Sequence, residues 1–207
     1  MKKTFVVIVL VILAVLFFWF LIRKSMAPDS PKTGENAAPN PSVSVVPISN
    51  ADGRITKKPF GIYVSTEHSP ISPEKFTGYH TGVDFETFPN EQDVDVPIYA
   101  VCEGKLIYKN WVSGYGGVVV QSCTLDGQSV MVLYGHLGVS SLAPIINSKL
   151  AVGQKLGILG KGYSTETDGE RKHLHLAVHK GTAINFRGYV QSKNELNSWI
   201  DFATLDF

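Results

Sequence analysis

Between Val96 and Val178 the chain falls into short apolar runs, each closed by glycine or another turn residue, and this pattern limits the fold more than any other feature. The runs are Val96–Cys102, Lys105–Tyr108, Gly117–Cys123, Ser129–Tyr134, Lys155–Leu159 and Leu174–Val178. Valine, isoleucine and aromatic residues dominate them, side chains that suit a pleated, half-buried surface. Gly104, Ser113-Gly114, Gly116-Gly117, Asp126-Gly127 and Gly160 punctuate them. Strands at this spacing predict an all-β domain, mostly antiparallel sheet of the sandwich or barrel type. Only short helices are expected beside them, near 142–147 and near 194–199.

A different pattern holds at the N-terminus, where Phe5–Ile22 is apolar without a break. As a helix this run rises roughly 27 Å, close to the hydrocarbon core of about 30 Å. Lys2 and Lys3 precede it, and Arg23 and Lys24 close it with Trp19 near that end. Residues 1–24 are therefore expected to form an uncleaved transmembrane signal anchor. The rival is a cleaved signal peptide, whose apolar stretch is usually ~7–15 residues, followed by small residues at the cut. Here the run is longer, and Arg23–Pro28 offers a poor cleavage site. The flanking charges are nearly balanced and do not fix the orientation. Residues 25–57 read as a flexible linker, because the Pro, Ser, Asn and Ala that dominate its first half cannot offset the entropy of ordering. The folded domain is expected over residues 58–207. A net charge of +1 without a long basic run excludes the usual electrostatic footprint of a nucleic-acid binder.

Six histidines are present, and their contexts differ. His173 and His175 alternate with Leu174 and Leu176, so a strand places both imidazoles on one face, about 6.6 Å apart along the chain. Satisfied core histidines are the bland explanation; a shared site is the sharper one. His179 continues the alternation but lies roughly 13 Å beyond His175 by strand rise, outside such a site. His80 and Asp84 are four apart, and imidazole nitrogen and carboxylate oxygen both suit zinc. His136 ends the run from Ser129 to Tyr134; alone it reads as structural, and beside the other candidates it becomes a catalytic one. Together these residues offer three ligands and two spare imidazoles. Three protein ligands with an open fourth position are the mark of a catalytic zinc site.

Read in order, the segments form a set: His80-x-Gly-x-Asp84, Pro97–Ala100, Gly104–Tyr108, Gly114–Gly117, Leu133–Leu137, Val152–Gln154, Leu156–Gly160 and His173-Leu-His175. This set resembles the lysostaphin-type, or LytM-type, zinc endopeptidases over roughly Gly78 to Lys180. The resemblance implies the duplicated hybrid motif fold, one zinc per chain held by His80, Asp84 and His175, and His136 and His173 as the non-ligand catalytic pair. It leaves open which of those two acts as base. Peptides of bacterial cell-wall peptidoglycan are the implied substrate, with the domain outside the cytoplasm. The family also has degenerate members that activate other wall hydrolases, and a peptidoglycan-binding module is a further alternative. Two departures stand out. The segment Thr165–Lys172 before the His-x-His strand is longer and more charged than the family's usual turn, and Ala177 replaces an acidic residue that could orient an imidazole.

Cys102 and Cys123 end two of the apolar runs. A hairpin centred near Val112 or Ser113 would set them directly opposite each other, within disulfide reach. A pair of reduced core cysteines is the alternative.

Overall fold

A computed structural model of the chain describes residues 46–125 and 127–205. The expected anchor and most of the expected linker lie outside these residues; among the described ones, no helix is long and apolar enough to cross a membrane. Among the described residues, twelve strands carry the fold. The first four are β1 (Tyr63–Val64), β2 (Gly78–His80), β3 (Val83–Glu86) and β4 (Pro97–Tyr99). The long meander follows as β5 (Gly104–Val112), β6 (Gly116–Leu125) and β7 (Gln128–Leu137). The rest are β8 (Lys149–Leu150), β9 (Lys155–Ile158), β10 (His173–Lys180), β11 (Tyr189–Val190) and β12 (Trp199–Ile200). All pairings are antiparallel.

A seven-stranded sheet runs β12-β10-β7-β6-β5-β8, with β3 also paired to β10. One edge of β10 is thus shared: its first half bonds to β3 and its last residues to β12, while its other edge bonds to β7. Alternation sorts the side chains. Leu174, Leu176 and Val178 enter one apolar core with Val119, Tyr134, Leu156 and Ile98. Ala177 enters a second core with Tyr115, Val118, Leu133, Val190 and Trp199 on the opposite face. A three-stranded sheet, β1-β2-β11, and a two-stranded one, β4-β9, complete the architecture. The expected antiparallel all-β class is what is found. In place of the expected helix near 142–147 there is a 3-10 turn at Val139–Ser141, whereas a 3-10 helix does occupy Lys193–Ser198.

The packed domain begins before residue 58. Ile48 is fully buried and bridges Ile98. Arg54 is also buried: Nη1 and Nη2 each reach a Glu91 oxygen at 2.7 Å, and Nε donates to the Ser49 carbonyl at 2.9 Å. A mostly polar segment is ordered here by a paired charge together with a few apolar anchors, Ile48 foremost, too sparse for composition to place it in the domain.

Cys102 and Cys123 are disulfide-bonded, with Cα atoms 6.1 Å apart. Their expected face-to-face register is corrected, because Gly104 is the partner of Cys123 and the β5–β6 hairpin turns at Gly114. Cys102 lies in the loop before β5, and Gln121 Nε2 donates to its carbonyl at 2.6 Å. That amide oxygen in turn accepts from the Tyr134 hydroxyl at 2.8 Å, so the buried polar groups around the bridge are satisfied.

Candidate active site

β10 runs between β3 and β7, and its register builds the site. His175 pairs with Asp84 on one side and Gly135 on the other; His173 pairs with Glu86. Paired residues project to the same face, so Asp84, Glu86, His173 and His175 form a square on the face opposite Leu174 and Leu176. His80 comes from β2 in the neighbouring sheet, carried over by the short turn through Thr81 and Gly82. Gly82 is where β3 crowds β10. A Cβ there would lie 2.5 Å from the Leu176 carbonyl oxygen and 2.9 Å from the His175 ring. The glycine of the His-x-Gly-x-Asp segment is thus a requirement of close approach.

His136 reaches the same face by an irregularity. Tyr134 pairs with Val119 and Leu137 with Gly117, so Gly135 and His136 together oppose Val118. Both Tyr134 and Leu137 point into the first core, and the bulge turns the two residues between them to the other face. His136 adopts φ 62°, the left-handed region that a non-glycine residue occupies at a cost held by its surroundings. Its ring lies 4.2 Å, centre to centre, from that of His173. At Gly135 a Cβ would fall 2.6 Å from the Tyr115 ring, which explains the glycine before His136.

Three donor atoms converge. His80 Nε2 lies 3.0 Å from His175 Nδ1 and 3.3 Å from Asp84 Oδ1, and His175 Nδ1 lies 3.1 Å from the same oxygen. His80 Nδ1 faces the Pro59 carbonyl at 3.2 Å. A carbonyl only accepts, so Nδ1 holds the proton and Nε2 presents its lone pair. His175 Nε2 faces the Tyr115 hydroxyl at 3.5 Å, which leaves Nδ1 turned to the triangle. Zinc ligands about 2.0–2.1 Å from a common tetrahedral centre stand roughly 3.4 Å apart, so the donor set fits such an ion. His136 and His173 stay outside the triangle. His173 Nδ1 donates to the Arg171 carbonyl at 2.9 Å, and its Nε2 is 3.3 Å from Asp84 Oδ2.

Burial sets the charge states. It opposes ionisation of Asp84, but the charges of His173 and His80 and hydrogen bonds from His173 and His175 outweigh it and hold the carboxyl well below its ordinary range. Burial pushes His175 down to about 4 even against its bond to Asp84. His136 is pushed well below the usual imidazole range, by burial first and by the charge of His173 next. Burial also raises the Tyr115 phenol, with the Asp84 charge adding to it. At neutral pH the site thus presents an anionic carboxylate and lone pairs on His175 and His136, the form a cation requires.

A cleft of about 230 Å³ opens onto these residues, lined by His136, His173 and His175 together with Phe76, Gly114, Tyr115, Arg171 and Tyr189. Asp84, His136, His173 and His175 line this cleft, and His80 is buried behind it, its Nε2 in the donor triangle. His179 lies apart, as expected: its ring packs on Trp199 at 4.9 Å. Tyr115 and Arg171 were not foreseen as site residues. Tyr115, flanked by Gly114 and Gly116, turns its hydroxyl to His175 Nε2 at 3.5 Å. Arg171 comes from the charged segment before β10.

The antiparallel β domain thus brings together a His–Asp–His triangle that could hold a metal ion and two further imidazoles beside it. The model of Peptidase family M23 matches residues 78–186, and the chain belongs to that family. Similar solved structures include the catalytic domain of the antimicrobial peptidase lysostaphin from Staphylococcus simulans, 21% identical over 69% of this chain and 84% of that one, with a TM-score of 0.46. LytU is 25% identical, over 72% of this chain and 87% of its own, with a TM-score of 0.47. No curated protein matches the chain.

The close approach at Gly82 gives a direct check. Gly82→Ala is expected to lower stability by about 1–3 kcal/mol, the usual cost of overpacking. Denaturant unfolding measures it, and an unchanged midpoint would contradict the β3–β10 contact.

Proposed function

We propose that the chain is a zinc-dependent endopeptidase that hydrolyses peptide bonds in bacterial peptidoglycan. The observation that carries this reading is the convergence of His80 Nε2, Asp84 Oδ1 and His175 Nδ1 within 3.0–3.3 Å of one another, with His136 and His173 beside them. Membership of Peptidase family M23 supports peptide-bond hydrolysis, and the motif resemblance to lysostaphin-type endopeptidases points to wall peptides. When bound, zinc supplies Lewis acidity that polarises a carbonyl oxygen and makes water acidic enough to attack near neutral pH.

The chain's own residues do the rest. The cleft takes the peptide and holds the scissile carbonyl near the donor triangle. With its Nδ1 proton committed to the Arg171 carbonyl, His173 exchanges protons only at Nε2. His136 has a buried Nδ1 with no hydrogen-bond partner. An imidazole so placed accepts a proton from attacking water, or donates a hydrogen bond to the developing oxyanion once protonated.

We also propose that Phe5–Ile22 anchors the chain in the cell membrane as a single pass, with the catalytic domain facing outward to the wall. This rests on the length of the apolar run.

His80→Ala, Asp84→Ala and His175→Ala should each abolish stoichiometric zinc binding and turnover of purified wall peptides. His136→Ala and His173→Ala should keep the metal and lose about 10²–10⁴-fold in rate. Metal analysis with muropeptide mass spectrometry reads both. A wild-type chain that holds zinc but cuts nothing would favour the activator reading, and full turnover by His175→Ala would overturn the site. For the topology, protease added to intact cells should remove the domain; protection until lysis would contradict the outward orientation.

A further inference from the structure

Two cations precede His173, and both turn inward. Lys172 Nζ donates to the carbonyls of Glu91 at 2.8 Å, Gln92 at 3.2 Å and Val94 at 2.6 Å, a tie to a neighbouring loop. Arg171 reaches the donor triangle instead. It is 8% exposed, and its Nη2 donates to Asp84 Oδ2 at 2.8 Å. Its Nε donates to both oxygens of Glu86, at 3.1 and 3.0 Å, and Nη2 also reaches Glu86 Oε1.

The oxygen that Arg171 grips is the one outside the triangle. The terminal torsion of a carboxylate is broad, so an unheld Asp84 could offer either oxygen or both. A guanidinium fork is rigid and directional, and it takes Oδ2 out of play together with His173 Nε2. Oδ1 is left facing His80 and His175. Charge follows the same division. A bare guanidinium beside a dication would repel it, but Glu86 lies on the same face, opposite His173, and accepts more of the Arg171 hydrogen bonds than Asp84 does. Glu86 is the main counter-charge of Arg171, with the exposed Lys57 Nζ a looser second cation 3.6 Å from its Oε2, and the Asp84 charge remains for the metal.

We propose that Arg171 is a positioning residue that presents Asp84 to the metal as a single-oxygen donor, with Glu86 neutralising it. This rests on the zinc reading of the site. It gives the charged segment before β10 a role at the metal rather than on the surface.

The test uses the purified full chain, stripped of metal and titrated with zinc alone against a competing chromogenic chelator. Arg171→Gln should bind zinc about 10–100-fold more weakly, the usual loss when a ligand's hydrogen-bond partner is removed. Circular dichroism of the metal-free chain reports whether the fold is kept. Arg171→Lys should recover part of the affinity, since one ammonium cannot bridge both carboxylates as a fork does. Glu86→Gln should weaken binding while Arg171 is present and have little effect when it is Gln. Wild-type affinity in a folded Arg171→Gln chain would overturn the inference alone, and so would an equal effect of Glu86→Gln in both backgrounds. If Arg171→Gln does not fold, Arg171→Lys and Glu86→Gln decide by the same criteria: losses support the proposal, and wild-type affinity in both overturns it. A wild-type chain that takes up no zinc would bring down the inference together with the reading beneath it.

Discussion

The site depends on the register of β10 between β3 and β7. With His175 opposite Asp84 and Gly135, an imidazole and a carboxylate of the donor triangle and the residue before His136 stand in one row across three strands. Backbone hydrogen bonds hold that row, and the apolar alternation of Leu174, Leu176 and Val178 pins it, since a slip by one residue would send both histidines into the first core. The precision of the donor triangle is therefore inherited from sheet packing. His80 enters from another sheet and is the only member of the triangle that does not ride on this row, which is why the tight turn at Gly82 matters.

Much of this was legible in the sequence because it is periodic. Alternation in Leu174–Val178 by itself puts His173 and His175 on one face, and the runs Lys105–Tyr108, Gly117–Cys123 and Ser129–Tyr134 lie within β5, β6 and β7. The two-residue strands β1, β8, β11 and β12 are too short to show a period, and β2 and β3 hide in a segment dominated by the His–Asp motif. The bulge at Gly135–His136 breaks alternation, so nothing in the pattern says that His136 leaves the face of Tyr134. The cysteines show the same limit: their pairing was expected, but the turn at Gly114 that sets the register around them was not visible.

Charge was the harder signal. The departure Thr165–Lys172 is conspicuous in the sequence for its charge, yet Thr167, Glu170, Arg171 and Lys172 are buried. Each long cation there finds oxygen partners: Lys172 three carbonyls, Arg171 two carboxylates. Arg54 does the same near the start of the domain. Buried charges survive only when paired and hydrogen-bonded, and a single sequence does not reveal partners that lie tens of residues away in the chain. Tyr115 belongs with them, as a buried phenol whose hydroxyl faces His175 Nε2 at 3.5 Å.

The central claim is that one zinc ion is held by His80, Asp84 and His175 with His136 and His173 left free. Anomalous diffraction at the zinc edge from crystals of the zinc-loaded chain tests it most directly. The expected result is one peak, about 2.0–2.1 Å from His80 Nε2, Asp84 Oδ1 and His175 Nδ1. A peak bonded to His136 or His173 in place of one of these, or no peak in the cleft, would contradict it.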